Sequence, residues 1–164
     1  MQLPQLDSLY RELILDHYRS PRGRAPLDKE DVHNHGYNPV CGDEVQVGLQ
    51  FDGDRIRSVQ VVTRGCSISV ASGSMLAELL PGKSRAEVEA LSQAFLKMMH
   101  GEAPPETLEI GDLEALEGVC KFPVRVKCAL LAWMTLRDAL RAWDDGRSEP
   151  VAASTTEESG EVTA

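Results

Sequence analysis

The chain has 164 residues, of which 42% are hydrophobic, and a formal net charge of −9 at pH 7. This size predicts one domain with a single core, and the charge argues against nucleic acid or an anionic membrane surface as partner. No segment approaches the roughly 18 apolar residues of a membrane span, and the N-terminus lacks a basic region followed by an apolar one, so we expect a cytoplasmic protein.

The first half of the sequence predicts one helix and one β-hairpin. Apolar residues within 7–19 recur at helical spacing, and the segment stops at Ser20-Pro21. A turn-rich loop follows. From residue 44 to 62 apolar and polar residues alternate, and Asp52-Gly53-Asp54 interrupts the pattern. This arrangement is typical of two antiparallel strands joined by a tight turn.

The second half of the sequence predicts four helical segments. They cover residues 67–80, 84–101, 112–117 and 123–143. The second of them opens with the capping box Ser84-Arg85-Ala86-Glu87. Residues 148–164 lack large apolar side chains. We therefore predict a folded domain over 1–143 and a disordered acidic tail over 144–164.

Three cysteines in separate segments are candidate metal ligands. Cys41 precedes the hairpin, Cys66 follows it at the N-terminus of a helix, and Cys128 lies in the last helix. With Asp43 they provide the four ligands that a tetrahedral zinc site takes. In a reducing compartment, cysteines are more typical of metal ligands or reactive thiols than of disulfides. Because the ligands are far apart in sequence, such a site requires the whole domain to fold.

Each candidate also has a structural interpretation. A free cysteine often behaves as a small buried apolar residue, and Asp43 could be a turn residue before a strand. Cys41 lies in a polar loop, and Cys128 falls about 60° outside the apolar stripe of the last helix, so neither is an obvious core residue. Position therefore favours metal ligation over packing.

Charge adds a further candidate residue. Three thiolates and a carboxylate around Zn²⁺ leave a net negative charge, which a nearby cation would offset. Arg125 stands three residues before Cys128 and shares its side of a helix. Cys120 is predicted to be an auxiliary thiol rather than a ligand. The weaker ligand candidates are His17, His33 and His35; His17 could instead pack on its helix face.

Four motifs together resemble the SufU branch of the U-type iron–sulfur cluster assembly family. They are Ile14–Arg22, Cys-Gly-Asp at 41–43, Gly-Cys at 65–66 and Phe-Pro-Val-Arg-Val-Lys-Cys-Ala at 122–129. The resemblance covers residues 1 to about 143. IscU-type scaffolds have histidine just before the third cysteine, whereas this chain has Lys127, and residues 81–118 lengthen the path between the second and third cysteines. Both features resemble SufU. The chain departs from the family at Ser20 and Gly23, where asparagines are common.

The resemblance implies a fold and a function. The fold is α+β, with a three-stranded antiparallel sheet packed against several helices and a metal site at one exposed end. The implied ligands of Zn²⁺ are Cys41, Asp43, Cys66 and Cys128. Cys41 is implied to accept persulfide sulfur from a group II, SufS-type cysteine desulfurase and pass it to downstream cluster assembly proteins, which makes the protein a zinc-dependent sulfurtransferase.

Two alternatives remain open from the sequence. Thiolates suit iron as well as zinc, so the same ligands could hold iron or a [2Fe–2S] cluster on a scaffold protein. A zinc-stabilised adaptor that binds partners without sulfur chemistry is the second alternative. Metal analysis distinguishes the zinc-dependent acceptor from the iron–sulfur scaffold. The Cys41→Ala variant distinguishes a sulfur acceptor from an adaptor.

Overall fold

A computed structural model of the chain describes residues 4–146, with side chains from residue 8 onward. The elements in chain order are α1 (Pro4–Arg19), β1 (Val32–Asn38), β2 (Asp43–Asp52), β3 (Arg55–Arg64), α2 (Ser67–Leu79), α3 (Arg85–Met99), a 3₁₀ helix (Gly111–Lys121) and α4 (Pro123–Asp144). Residues 147–164, which include most of the predicted tail, lie outside the described residues.

The three strands form one antiparallel sheet in the order β1-β2-β3. The predicted hairpin is β2 and β3, joined where Asp52 pairs with Arg55. The sequence pattern did not reveal β1, which lies within the predicted loop. Its inward positions include Asn34, Gly36 and Asn38, so the strand buries polar and small residues instead of an apolar alternation.

The helices cover the sheet and place a buried helix at its centre. α4 packs against β1 and β2, while α2 packs against β3 and α4, and α1 packs on α2. Residues 69–77 of α2 are all buried, so this helix is surrounded by protein along most of its length. Small side chains on α2 allow these close approaches. The element is therefore firmly anchored, which matters for Cys66 at its start.

The helix boundaries follow local signals in the sequence. The capping box of α3 is present: the Glu87 N–H donates to Ser84 Oγ at 3.2 Å, and the Ser84 N–H donates to Glu87 Oε1 at 2.8 Å. Pro123 is the first residue of α4, where its missing N–H costs no hydrogen bond. Among residues 4–146, no helix has the length and apolar character to cross a membrane.

Candidate metal centre

The four predicted ligands meet at one end of the sheet. Cys41 lies in the turn between β1 and β2, and Asp43 is the first residue of β2. β3 ends beside this point, since Arg64 pairs with Glu44, and the chain then enters α2 with Cys66 at the N-cap. Cys128 lies in the second turn of α4.

The donor atoms of three of the four predicted ligands lie close to one another, and the fourth lies beside one of them. Cys41 Sγ lies 3.5 Å from Cys128 Sγ, and Cys66 Sγ lies 3.9 Å from Asp43 Oδ2. Donor atoms of Cys41, Asp43 and Cys128 are all within 4.8 Å of one another. Zn–S bonds near 2.3 Å in a tetrahedron separate neighbouring sulfurs by about 3.8 Å. Cys66 contacts this group through Asp43 and is not among the residues whose donor atoms are mutually within 4.8 Å. Thiols and a carboxylate are the donor types that Zn²⁺ takes.

A tight turn presents Cys41 to solvent. The Asn38 side chain is buried and its Oδ1 accepts the Val40 N–H at 3.1 Å, while its carbonyl oxygen accepts the Gly42 N–H at 2.7 Å. Gly42 has φ of +76°, in the left-handed region that favours glycine. The turn is thus defined by Asn38 and Gly42, and it leaves Cys41 exposed.

Asp43 is held in place by the segment that carries Cys66. The carboxylate is buried, and its Oδ1 accepts the Cys66 backbone N–H at 3.2 Å. A Cβ atom on Gly65 would lie 2.2 Å from the same Oδ1, so only glycine leaves room for it. Sequence reasoning missed this role of Gly65, although the Gly-Cys dipeptide was the available signal.

Cys128 is fully buried, but it is not part of the main hydrophobic cluster, in agreement with its predicted place outside the apolar stripe. It lies outside the apolar stripe of α4, but it faces the Cys41 turn and Asp43, which cover it. Burial raises the pKa of the Cys128 thiol, and hydrogen bonds with Asp43 and Cys41 raise it further. A bound cation would reverse this preference and favour the thiolate.

Arg125 lies next to the cysteines, one turn before Cys128. Its guanidinium is exposed, and its pKa is raised by the charge of Cys66 and by hydrogen bonds with Cys66 and Cys128. The predicted cation is therefore at the site. Its position suits a group that offsets excess negative charge.

The other candidates lie elsewhere. Cys120 is half-buried on the 3₁₀ helix and does not belong to the ligand cluster. His33 and His35 are on β1, where His35 Nε2 lies 3.4 Å from Glu44 Oε1, and neither joins the cluster. His17 is buried at a distinct place between α1, α2 and the 3₁₀ helix.

His17 belongs to a second group of potential ligands that the sequence did not reveal. Donor atoms of His17, Glu78 and Asp112 lie within 4.8 Å of one another. His17 Nδ1 is 2.7 Å from Ser74 Oγ, and Nε2 is 2.8 Å from Asp112 Oδ2. Arg22 Nε lies 3.3 Å from Glu78 Oε2. These atoms already have partners, so this group is a polar network linking three helices.

Several exposed apolar residues lie close in sequence to Cys41 and Cys128. Val40 precedes Cys41, and Phe122 and Val124 flank Pro123 at the start of α4. Their exposed fractions are 68%, 59% and 56%. Tyr37, near the end of β1, is also exposed. We call Tyr37, Val40, Phe122 and Val124 the apolar rim; exposed apolar side chains that form a patch are typical of a surface that binds another protein.

Comparison with protein families shows to which family this chain belongs. The model of the NifU-like N terminal domain matches residues 9–129. The chain belongs to this family. This NifU-like protein is 39% identical over 141 residues to the zinc-dependent sulfurtransferase SufU of Bacillus subtilis strain 168, covering 86% of this chain and 95% of that protein.

Further comparisons agree with an iron–sulfur cluster assembly protein and with the predicted α+β fold. The NifU-like chain is 38% identical over 141 residues to the iron–sulfur cluster assembly scaffold protein IscU of Streptococcus pyogenes serotype M1, covering 86% of this chain and 88% of that protein. The crystal structure described as an iron–sulfur cluster assembly scaffold protein for the SUF system of Fervidobacterium islandicum AW-1 superposes with a TM-score of 0.74 at 34% identity, covering 79% and 94% of the two chains. The protein is thus an iron–sulfur cluster assembly protein of the SufU/IscU type.

Proposed function

We propose that this protein is a zinc-dependent sulfur acceptor that works with a SufS-type cysteine desulfurase and delivers sulfur to downstream cluster assembly proteins. The observation that supports it is the contrast within one cluster: Cys41 is exposed on a turn, whereas Asp43 and Cys128 are buried beside it. We place this reaction in the cytoplasm, where a reducing environment keeps thiols available.

The residues proposed to hold Zn²⁺ are Cys41, Asp43, Cys66 and Cys128. When bound, zinc stabilises thiolates and protects them without redox chemistry of its own. Cys66 and Cys128 are attached to α2 and α4, so their sulfur positions are fixed by the core. Asp43 is fixed by the Cys66 N–H. Cys41 is the ligand that can move with least disturbance.

Cys41 is proposed to carry the sulfur. Its thiolate attacks the outer sulfur of the desulfurase persulfide, a new S–S bond forms on Cys41, and the desulfurase cysteine leaves as a thiolate. No net oxidation occurs, because the sulfane sulfur passes from one thiolate to another. The Arg125 guanidinium lies where it can stabilise negative charge on the sulfurs during this exchange.

The apolar rim of Tyr37, Val40, Phe122 and Val124 is proposed to bind the desulfurase. Transfer requires the two cysteines to come into contact, so the docking surface must include the surroundings of Cys41. Burial of these side chains on binding would release about 25 cal/mol per Å² of apolar area. A partner docked there would also exclude water from the exposed thiol.

A scaffold for a [2Fe–2S] cluster is the second candidate, favoured by the 38% identity to an IscU scaffold protein. Thiolates hold iron as well as zinc. Metal analysis and an absorption spectrum of protein purified without oxygen distinguish the two functions. A zinc-dependent acceptor contains zinc and does not absorb visible light, whereas a scaffold contains iron and inorganic sulfide.

The experiment that tests sulfur transfer is a desulfurase assay followed by mass spectrometry. Wild-type protein should stimulate cysteine turnover and gain about 32 Da, one sulfur atom, on Cys41. Cys41→Ala should abolish both effects, and Cys120→Ala is the matched control that retains them. First modification of another cysteine, with stimulation by Cys41→Ala, would contradict the proposal. Stimulation without any adduct would instead support the adaptor role.

A further inference from the structure

A cavity of 260 Å³ lies between α3 and α4, away from the cysteine cluster. None of the candidate zinc ligands lines it. α3 belongs to residues 81–118, the segment that lengthens the path between Cys66 and Cys128, so this cavity is built by the added helix. The proposed sulfur chemistry does not use it.

Part of the cavity lining is apolar. It includes Leu96 of α3 and Leu130 and Trp133 of α4. The Trp133 ring packs against Phe95 with centroids 5.2 Å apart, and its N–H donates to Ser72 Oγ at 3.1 Å. Because the indole N–H already has an acceptor, the ring presents an apolar surface in a fixed orientation.

The walls carry an excess of cationic groups. Three arginines and two carboxylates line the cavity: Arg85, Arg137, Arg141, Glu89 and Asp144. Arg85 is paired with Asp144, since its two terminal nitrogens lie 2.5 and 2.9 Å from the carboxylate oxygens. Apart from this pair, the charged residues that line the cavity are Arg137, Arg141 and Glu89.

Arg137 has a buried donor without an acceptor. Its Nε is inaccessible to solvent and has no hydrogen-bond partner among the described residues, and the same holds for Arg85 Nε in the same cavity. Buried N–H groups in proteins are nearly always paired with protein, water or ligand atoms. The planar guanidinium matches the geometry of a carboxylate or phosphate. In a protein of net charge −9, such a site needs specific contacts to attract an anion.

We propose that this cavity binds a small organic anion, with a carboxylate or phosphate on Arg137 and an apolar body on Trp133. The volume is close to the lower limit of about 300 Å³ for ligand pockets, which limits the ligand to one ring or a short chain. This inference concerns a second site and is independent of sulfur transfer.

The test uses full-length, zinc-loaded protein with Trp143→Phe, which leaves Trp133 as the only tryptophan of the two in the chain. Phenyl phosphate and benzoate are titrated while Trp133 fluorescence is recorded, with calorimetry as a second readout. We expect saturable binding of one or both anions. Neutral benzamide and inorganic phosphate should each bind at least tenfold more weakly than the better anion, because each lacks one of the two required groups.

Variants distinguish a built site from adventitious binding. Arg137→Gln should weaken binding of the better anion at least tenfold, and Arg137→Lys should weaken it less. Arg57→Gln, at an exposed position of β3, should leave it unchanged. Zinc content and circular dichroism check that each variant is folded. If Arg137→Gln does not fold, Arg137→Lys and Arg141→Gln provide the same comparison.

Two results would overturn the proposal. The first is no saturable binding of any probe in the millimolar range. The second is equal binding by the Arg137 variants and Arg57→Gln, which indicates adventitious anions only.

Discussion

Two groups of potential metal ligands are present in the described part of the chain, and they differ in how their atoms are already used. In the group of His17, Glu78 and Asp112, both ring nitrogens have hydrogen-bond partners and Glu78 pairs with Arg22. In the group of Cys41, Asp43 and Cys128, the thiols contact mainly each other and the carboxylate. The two groups have similar distances between donor atoms, but their donor atoms make different interactions.

The difference shows what proximity alone does not establish. Hydrogen bonds satisfy imidazole and carboxylate groups well, so the His17 group is stable without a cation. Thiols are weak hydrogen-bond donors and acceptors, and burial disfavours their charged form. The cysteine group therefore gains much more from a metal than the histidine group does. Substitutions in and around each group test this difference, and their expected effects decrease in the order below.

The largest expected effect is loss of zinc on removal of a buried thiol. Cys128→Ala should reduce the zinc content from about one per chain to nearly none, because three donors and a gap do not form a closed site. The melting temperature should also fall, since the free energy of zinc binding stabilises the fold. Metal analysis and thermal unfolding measure both. Cys120→Ala is the matched control, and retention of zinc by Cys128→Ala would contradict the ligand assignment.

His17→Ala should have the opposite profile. We expect the free energy of unfolding to fall by about 2 to 3 kcal/mol, because a buried hydrogen-bonded side chain is lost, while the zinc content remains unchanged. Urea unfolding and metal analysis give the two values. His100→Ala, at the exposed C-cap of α3, is the control. Loss of zinc from folded His17→Ala protein would show that the two groups are linked.

Gly65→Ala tests the space around Asp43. The added methyl group would displace the Asp43 carboxylate, so we expect zinc affinity to fall by about 10- to 100-fold, as for other changes next to metal ligands. Competition with a chelator measures this. Gly118→Ala is the matched control, because no atom lies within 4 Å of its added Cβ. Equal affinities of the two variants would show that Asp43 is not a ligand.

The smallest expected effect is a change in acid sensitivity near the His17 group. The hydrogen bond from Arg22, 2.8 Å from Asp16 Oδ2, holds the pKa of Asp16 below its ordinary value. Because the pKa is lowered in the folded state, the pair stabilises the protein above the unfolded-state pKa, and this contribution is lost as pH falls through the folded-state pKa.

Arg22→Met should therefore raise the Asp16 pKa and make stability less dependent on pH in the acidic range. An NMR titration of the Asp16 carboxyl group and urea unfolding at two acidic pH values test this. Arg19→Met, on the same helix as Asp16, should leave the titration of Asp16 unchanged. An unaltered Asp16 pKa in Arg22→Met would exclude the ion pair as the cause.

Local signals explain which parts of the fold were predictable. The capping box located α3, and the alternation around Gly53 located the β2–β3 hairpin. β1 was missed because tertiary contacts define its inner face: Asn34 Nδ2 donates to the Thr135 carbonyl at 3.0 Å, and a Cβ on Gly36 would overlap Thr135 Oγ1. Such contacts with α4 leave no apolar pattern in the strand itself.

The site shows the same division. Residue types and motifs singled out four side chains. The structure brings Cys41, Asp43 and Cys128 together at the end of the sheet, with Cys66 beside Asp43. The role of Gly65 and the burial of Cys128 depend on neighbours from other segments. The His17 network was missed for the same reason, because Ser74 and Asp112 are 57 and 95 residues away in sequence. Helical periodicity reports burial against the core, and Cys128 is buried by a loop.

The position of Cys41 in a turn determines how fast this residue can move during the proposed reaction. Residues 39–42 lie beyond the last paired residues of β1 and β2, Asn38 and Asp43, so Cys41 can move without breaking a strand pair. Motions of such loops take nanoseconds to microseconds, whereas freeing Cys128 would require local unfolding, on a time scale of microseconds to seconds. The loop motion that Cys41 needs should therefore be fast compared with any motion that would free Cys128.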